Sequence, residues 1–125
     1  VIHGGIMVLG ATGQIGSELV TELRRRYGNE RVLAVGHSRS PPRELIKGGP
    51  YETGDVMDEE GLRGLCARYS IGTVFHLAAV LSGVGEKDPK FAWDLNMNGL
   101  INVLELAREH GIKVFWPSSI AVFGN

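Results

Sequence analysis

Short unbroken apolar runs alternate along this chain with longer stretches in which apolar residues recur every three or four positions. Ile6 to Leu9 is such a run, bounded by Gly4-Gly5 and Gly10, and it predicts a strand buried on both faces. From Gln14 to about Tyr27, the positions Ile15, Leu19, Val20 and Leu23 keep helical spacing, and Gly28 stands just past the end, as at the close of a helix. In the last turn Arg24-Arg25-Arg26 reads as a solvated helix end whose cations oppose the negative pole of the dipole. Arg31 to Val35 predicts a second strand, the stretch holding Pro41-Pro42 and Gly48-Gly49-Pro50 a loop, and Tyr51 to Thr53 a short third strand. A helix then begins near Asp58, with Leu62, Leu65, Cys66 and Tyr69 on its inner face. Thr73 to Leu77 predicts a fourth strand, Pro89 to His110 a long helix with Gly111 beyond it, and Lys113 to Trp116 a fifth strand.

Connections of this length suit crossovers between parallel strands. With right-handed crossovers the order becomes a doubly wound, mainly parallel α/β sheet of strand order 3-2-1-4-5. Its ligand crevice lies at the carboxyl ends of strands one and four, where the winding reverses. Composition narrows the ligand. The 125 residues suit one domain spanning 1–125, and 43% apolar with 22% charged residues is ordinary for a globular chain. A net charge of −1 gives no reason to expect nucleic acid or an anionic membrane as partner, which leaves a small molecule. One cysteine, Cys66, points to a reducing, cytoplasmic setting. His3, His37, His76 and His110 show no metal-ligand spacing, and His76 inside a strand reads as a satisfied core histidine.

The segment Gly10-Ala11-Thr12-Gly13-Gln14-Ile15-Gly16 follows the first strand and opens the first helix. That context marks a dinucleotide loop, in which Gly10 permits the turn, Gly13 lets the phosphates approach, and Gly16 lets helix and sheet pack closely. Free N–H groups at the helix start then meet the pyrophosphate, so Gly10, Thr12, Gly13, Gln14, Ile15 and Gly16 are the candidate phosphate site of a Rossmann domain.

The glycine spacing, together with Gly54-Asp55-Val56, His76-Leu77-Ala78-Ala79, Asn96-Met97-Asn98-Gly99 and Ser118-Ser119-Ile120-Ala121-Val122-Phe123-Gly124, resembles the extended short-chain dehydrogenase/reductases of the epimerase/dehydratase type. Within that group, Leu81-Ser82-Gly83-Val84-Gly85-Glu86, Ala92-Trp93-Asp94-Leu95 and Phe115-Trp116-Pro117-Ser118-Ser119 resemble the metal-independent L-threonine 3-dehydrogenases. The resemblance implies a nicotinamide-dependent oxidoreductase that oxidises L-threonine to L-2-amino-3-oxobutanoate. A nucleotide-sugar epimerase or dehydratase, and a non-catalytic NAD(P)-binding module, remain open beside it.

On this resemblance Asp55 accepts from the adenine amino group, Val56 covers the ring, Leu77, Ala78 and Ala79 border the cofactor ribose, and Asn96 ties backbone near the active site. Related threonine dehydrogenases carry an aspartate after the second strand, which favours NAD. Here that position is Gly36, followed by His37-Ser38-Arg39, and Ser38 and Arg39 suit the 2′-phosphate of NADP. NAD and NADP both stay open. Ser119 matches the serine that hydrogen-bonds the substrate oxygen, while Ser82 and Ser118 are candidate substrate contacts.

The family's proton-transfer pair is a Tyr with a Lys four residues on, yet Tyr27, Tyr51 and Tyr69 are followed at that distance by Arg31, Asp55 and Thr73. The resemblance places the pair beyond Asn125. The chain is thus expected to be the cofactor-binding, N-terminal part of a longer enzyme and inactive alone. A broad apolar surface on helix 89–110, with Phe91, Trp93, Leu100, Ile101, Val103, Leu104 and Leu106, predicts a homodimer.

Overall fold

The computed structural model describes residues 4–37, 41–78 and 88–117. The five strands are β1 (Gly5–Leu9), β2 (Val32–Gly36), β3 (Tyr51–Thr53), β4 (Ile71–His76) and β5 (Lys113–Phe115). The helices are α1 (Gln14–Tyr27), α2 (Arg43–Lys47), α3 (Glu59–Arg68) and α4 (Pro89–His110). All strand pairs are parallel and the order is β3-β2-β1-β4-β5, as the hydrophobic pattern predicts.

Alternation along β1 divides the core. Ile6 and Val8 face α1 and α2 in a cluster with Val20, Leu23, Val32, Ala34 and Leu45, while Met7 and Leu9 face the opposite layer with Leu33, Val35, Leu62, Leu65, Val74, Val103 and Leu106. Cys66 belongs to that second cluster, and burial pushes its thiol up to about 11, which keeps it protonated and inert. Local signals fix the helix ends. The Asp58 carboxylate accepts from Gly61 N at 3.1 Å, the Asp88 carboxylate accepts from Phe91 N at 3.1 Å ahead of Pro89, and Gly111 closes α4 at φ 65°.

Five expectations need correction. The stretch 41–50 is not all loop, because Leu45 drops into the α1-side cluster and draws Arg43–Lys47 into one helical turn. β2 starts at Val32, since Asn29–Arg31 forms a 3₁₀ turn, and β5 stops at Phe115. β4 starts two residues early at Ile71, where Ser70 at φ 52° makes the bend and Gly5 supplies a partner, and it ends at His76. Arg24, finally, is not solvated.

Arg24 is only 6% exposed. Its guanidinium donates from Nε and Nη2 to Val32 O, from Nη1 to Leu45 O at 2.8 Å and from Nη2 to Pro50 O at 2.7 Å. One side chain therefore ties α1 to β2, to α2 and to the residue before β3. Burial pushes its pKa down from the ordinary value. Arg25 and Arg26 do behave as surface groups, sharing Glu22 at 2.6 and 2.7 Å.

On α4, Leu100, Val103 and Leu106 are buried against the chain's own core. Phe91, Trp93, Ile101 and Leu104 remain exposed.

Candidate functional site

The glycine loop leaves β1 at the point where the sheet reverses. Gly10 takes φ 80°, and a Cβ there would lie 2.7 Å from Leu77 C and 2.8 Å from Ala78 N. The left-handed turn and the close pass against the end of β4 thus both demand glycine. Gly10 N and Ala11 N donate to Val35 O at 3.1 and 3.0 Å, which pins the loop to β2 as well. A Cβ at Gly16 would run into Gly10 O and lie 2.9 Å from Gly10 C, so α1 starts packed directly on the loop.

Gly13 differs. Its φ is −72°, and a Cβ would meet only Gly10 O at 3.5 Å, an ordinary contact. Among the described residues nothing requires glycine there, and the position is exposed. As the N-cap of α1, Gly13 offers no side-chain cap, and the first turn carries no acidic residue. The first N–H groups of Gln14, Ile15 and Gly16 consequently project a positive pole outward, an arrangement that fits a diphosphate. Ile15, 62% exposed, is an apolar side chain at this rim, and Thr12 is half-buried against the end of β2.

The next corner is built by the ends of β2 and β3. Gly54 N donates to Gly36 O at 2.8 Å. Beyond it, Asp55 Oδ1 accepts from Met57 N at 2.9 Å, and Oδ2 lies 3.3 Å from His37 Nε2. The carboxylate thus shapes its own turn and reaches the residue that follows β2. Val56 packs on the core, its carbonyl accepts from Asn102 Nδ2 at 2.9 Å, and a Cβ on Gly99 would come 3.3 Å from Val56 Cβ. This fixes the Asp55-Val56 loop to α4. Asn96 is half-buried on the same helix.

At the end of β4, Leu77 N donates to Leu9 O at 3.0 Å, and Leu77 and Ala78 are half-buried beside Gly10. The structure thus gathers Gly10, Thr12, Gly13, Gln14, Ile15, Gly16, Leu77 and Ala78 around the switch point, with Asp55 and Val56 at the neighbouring corner. Ser38, Arg39, Ala79, Ser82, Ser118 and Ser119 lie outside the described residues.

His76 departs from its reading as a satisfied core residue. It is buried, yet Nδ1 has no hydrogen-bond partner among the described residues. Burial pushes the imidazole down to about 4, so it is neutral at pH 7. An unfolded chain, with an ordinary imidazole near 6.5, binds a proton that the folded chain excludes until about pH 4. Stability from this group is therefore whole above pH 6.5 and falls as pH drops from 6.5 to 4, by on the order of 3 kcal/mol. Replacing His76 with leucine should flatten the stability profile in that window, as measured by urea unfolding. An unchanged slope would refute the account.

Sequence reasoning missed Arg24, Asn102 and Tyr51. Arg24 had a usable signal, since it falls four residues after Val20 and eight after Gly16, in phase with the buried face. Asn102 and Tyr51 carry no comparable signal, because their roles depend on which loop and strand lie opposite.

Residues 6–125 match the NAD dependent epimerase/dehydratase family. An uncharacterized epimerase/dehydratase of Staphylococcus epidermidis is 49% identical over 119 residues, 95% of this chain and 37% of the relative. The X-ray structure of L-threonine dehydrogenase from Clostridium difficile superposes with a TM-score of 0.89 at 44% identity, covering 99% of this chain and 39% of that one. A UDP-glucose-4-epimerase from Stenotrophomonas maltophila, solved with bound NAD, gives 0.81 at 26% identity, covering 98% and 39%. The chain thus spans well under half the length of the proteins it matches.

Proposed function

Because the chain belongs to the NAD dependent epimerase/dehydratase family, we propose that it forms the cofactor-binding part of an NAD(P)-dependent L-threonine 3-dehydrogenase. Identity carries the substrate choice, since 44% to the threonine dehydrogenase stands against 26% to the epimerase over nearly the same coverage. The loop geometry supports the cofactor: two close backbone approaches that a Cβ would disturb, at Gly10 and Gly16, flank an open Gly13 at an uncapped helix start.

In this reading Gly13 and the first N–H groups of α1 hold the diphosphate, and the small Ala78 lets the sheet end lie close to the ribose. Asp55 presents its carboxylate toward the base, steadied by Met57 N. The bound nicotinamide supplies a hydride acceptor. Ser119 holds the alcohol oxygen of the substrate, and Ser82 and Ser118 contact the amino acid. Proton removal falls to a Tyr/Lys pair outside this sequence.

The test is L-threonine-dependent reduction of NAD and of NADP by the complete protein. Turnover with L-threonine, and none with UDP-glucose, is the expected result; the reverse would transfer the assignment to sugar-nucleotide chemistry. Comparable use of both cofactors is expected, because Gly36 brings no carboxylate to repel a 2′-phosphate.

Two copies are further proposed to pair through α4, where Trp93, Ile101 and Leu104 share one face and stay exposed. Leu104→Glu should convert the complete protein from dimer to monomer in light scattering. A wild-type monomer would refute the pairing.

A further inference from the structure

Gly36 closes β2 at the place where the resemblance implies an acidic side chain. A Cβ there would run into the hydroxyl oxygen of Tyr51, and would lie 2.8 Å from Thr12 Cγ2 and 3.1 Å from Tyr51 Cζ. The space is therefore filled, by a residue from another strand. Tyr51 pairs with Ala34 and Thr53 with Gly36, so Tyr51 starts two residues below Gly36 on the neighbouring strand. Two residues of strand rise roughly 6.6 Å, about the reach of a phenol, and this brings the hydroxyl level with the strand end.

The ring packs on the α1-side cluster, which fixes its direction. Pro50, immediately before it, is held by Ala34 N at 3.0 Å and by Arg24 Nη2 at 2.7 Å. Burial raises the Tyr51 pKa, so the phenol is neutral at pH 7 and can donate. Among the described residues only His76 Nδ1 is both fully buried and unpartnered. The Tyr51 hydroxyl has no hydrogen-bond partner among the described residues, and the residue is only partly buried beside the glycine loop.

We propose that the Tyr51 hydroxyl, standing at the Cβ position of Gly36 beside Thr12, reads the 2′ position of the adenosine ribose in place of a side chain on residue 36. This rests on the dinucleotide reading above. The exchange replaces a charged acceptor by a neutral group that both donates and accepts. It can bond a ribose hydroxyl, and it does not repel a phosphate there.

The test compares NAD with its analogue lacking the adenosine 2′-hydroxyl, by calorimetric titration of the complete protein and of Tyr51→Phe. The wild type should prefer NAD by about threefold to tenfold, the worth of one hydrogen bond. In Tyr51→Phe the ratio should fall to about one. Its melting temperature should stay unchanged, because the hydroxyl bonds no group among the described residues and the ring is kept. Should Tyr51→Phe fail to fold, Gly36→Ala, which displaces the hydroxyl without deleting it, must show the same fall. An unaltered ratio in the variant, or a wild type indifferent to the 2′-hydroxyl, overturns the proposal while leaving dinucleotide binding intact. Failure of the wild type to bind either compound removes the cofactor reading and the proposal together.

Discussion

Replacing Arg24 with alanine is expected to destabilise the fold by about 3 kcal/mol and to lower the melting temperature by about 10 °C. The guanidinium donates to three carbonyls on three different segments, Val32, Leu45 and Pro50. Of these, Pro50 O keeps a second donor, Ala34 N, but the other two lose the fork on which they depend. Each buried acceptor left without a partner costs about 1–3 kcal/mol, and the aliphatic stem of a nearly buried residue leaves a gap as well.

Lysine at position 24 should recover only part of the loss, because one ammonium cannot reproduce a planar fork directed at separate carbonyls. Arg25→Ala is the matched control. Its partner Glu22 is exposed and shared with Arg26, so the variant should melt close to the wild type. Thermal melts of the three variants decide the matter; equal effects at positions 24 and 25 would show that the buried bonds contribute nothing.

The second large effect separates two glycines of one loop. Gly13→Val should weaken NAD binding on the order of 100-fold, as expected when two or so charge-assisted N–H bonds to a diphosphate are blocked. The fold should survive it, since a Cβ at Gly13 meets only an ordinary contact. Gly10→Val should lose both. At φ 80°, with Leu77 C 2.7 Å from the added carbon, the substitution combines left-handed strain with overlap against backbone, and about 3 kcal/mol or more of stability goes with it. Calorimetric titration paired with melting curves reads both quantities. If Gly13→Val binds NAD as tightly as the wild type, the phosphate assignment fails; if Gly10→Val melts like the wild type, the account of the β1–β4 junction fails.

These contrasts show where sequence and tertiary structure divide the work. Apolar runs and helical spacing determined the elements, because burial on two faces or on one stripe leaves a period that reads directly along the chain. Strand order followed, since crossovers of this length permit few right-handed arrangements. The glycine loop was legible for a related reason: three glycines in fixed register between a strand and a helix form a local pattern, although only Gly10 and Gly16 make the close backbone approaches.

Only the folded chain decided which residue fills the place of another. The three arginines are the same residue in sequence, and it is the packing of α2 and residues 48–50 over one flank of α1 that buries Arg24 and leaves Arg25 in water. Leu45 turned a proline-bounded stretch into a helical turn by finding the same core. His76 had the hydrophobic surroundings expected of a core histidine, but whether its Nδ1 meets an acceptor depends on atoms distant in sequence. At Gly36 the sequence shows a missing side chain, and the register of β3 against β2 shows what occupies its space, because a phenol two residues lower on the neighbouring strand has the length to reach it. Periodicity and local backbone requirements are written along the chain, whereas the identity of a neighbour across strands is set by register and burial.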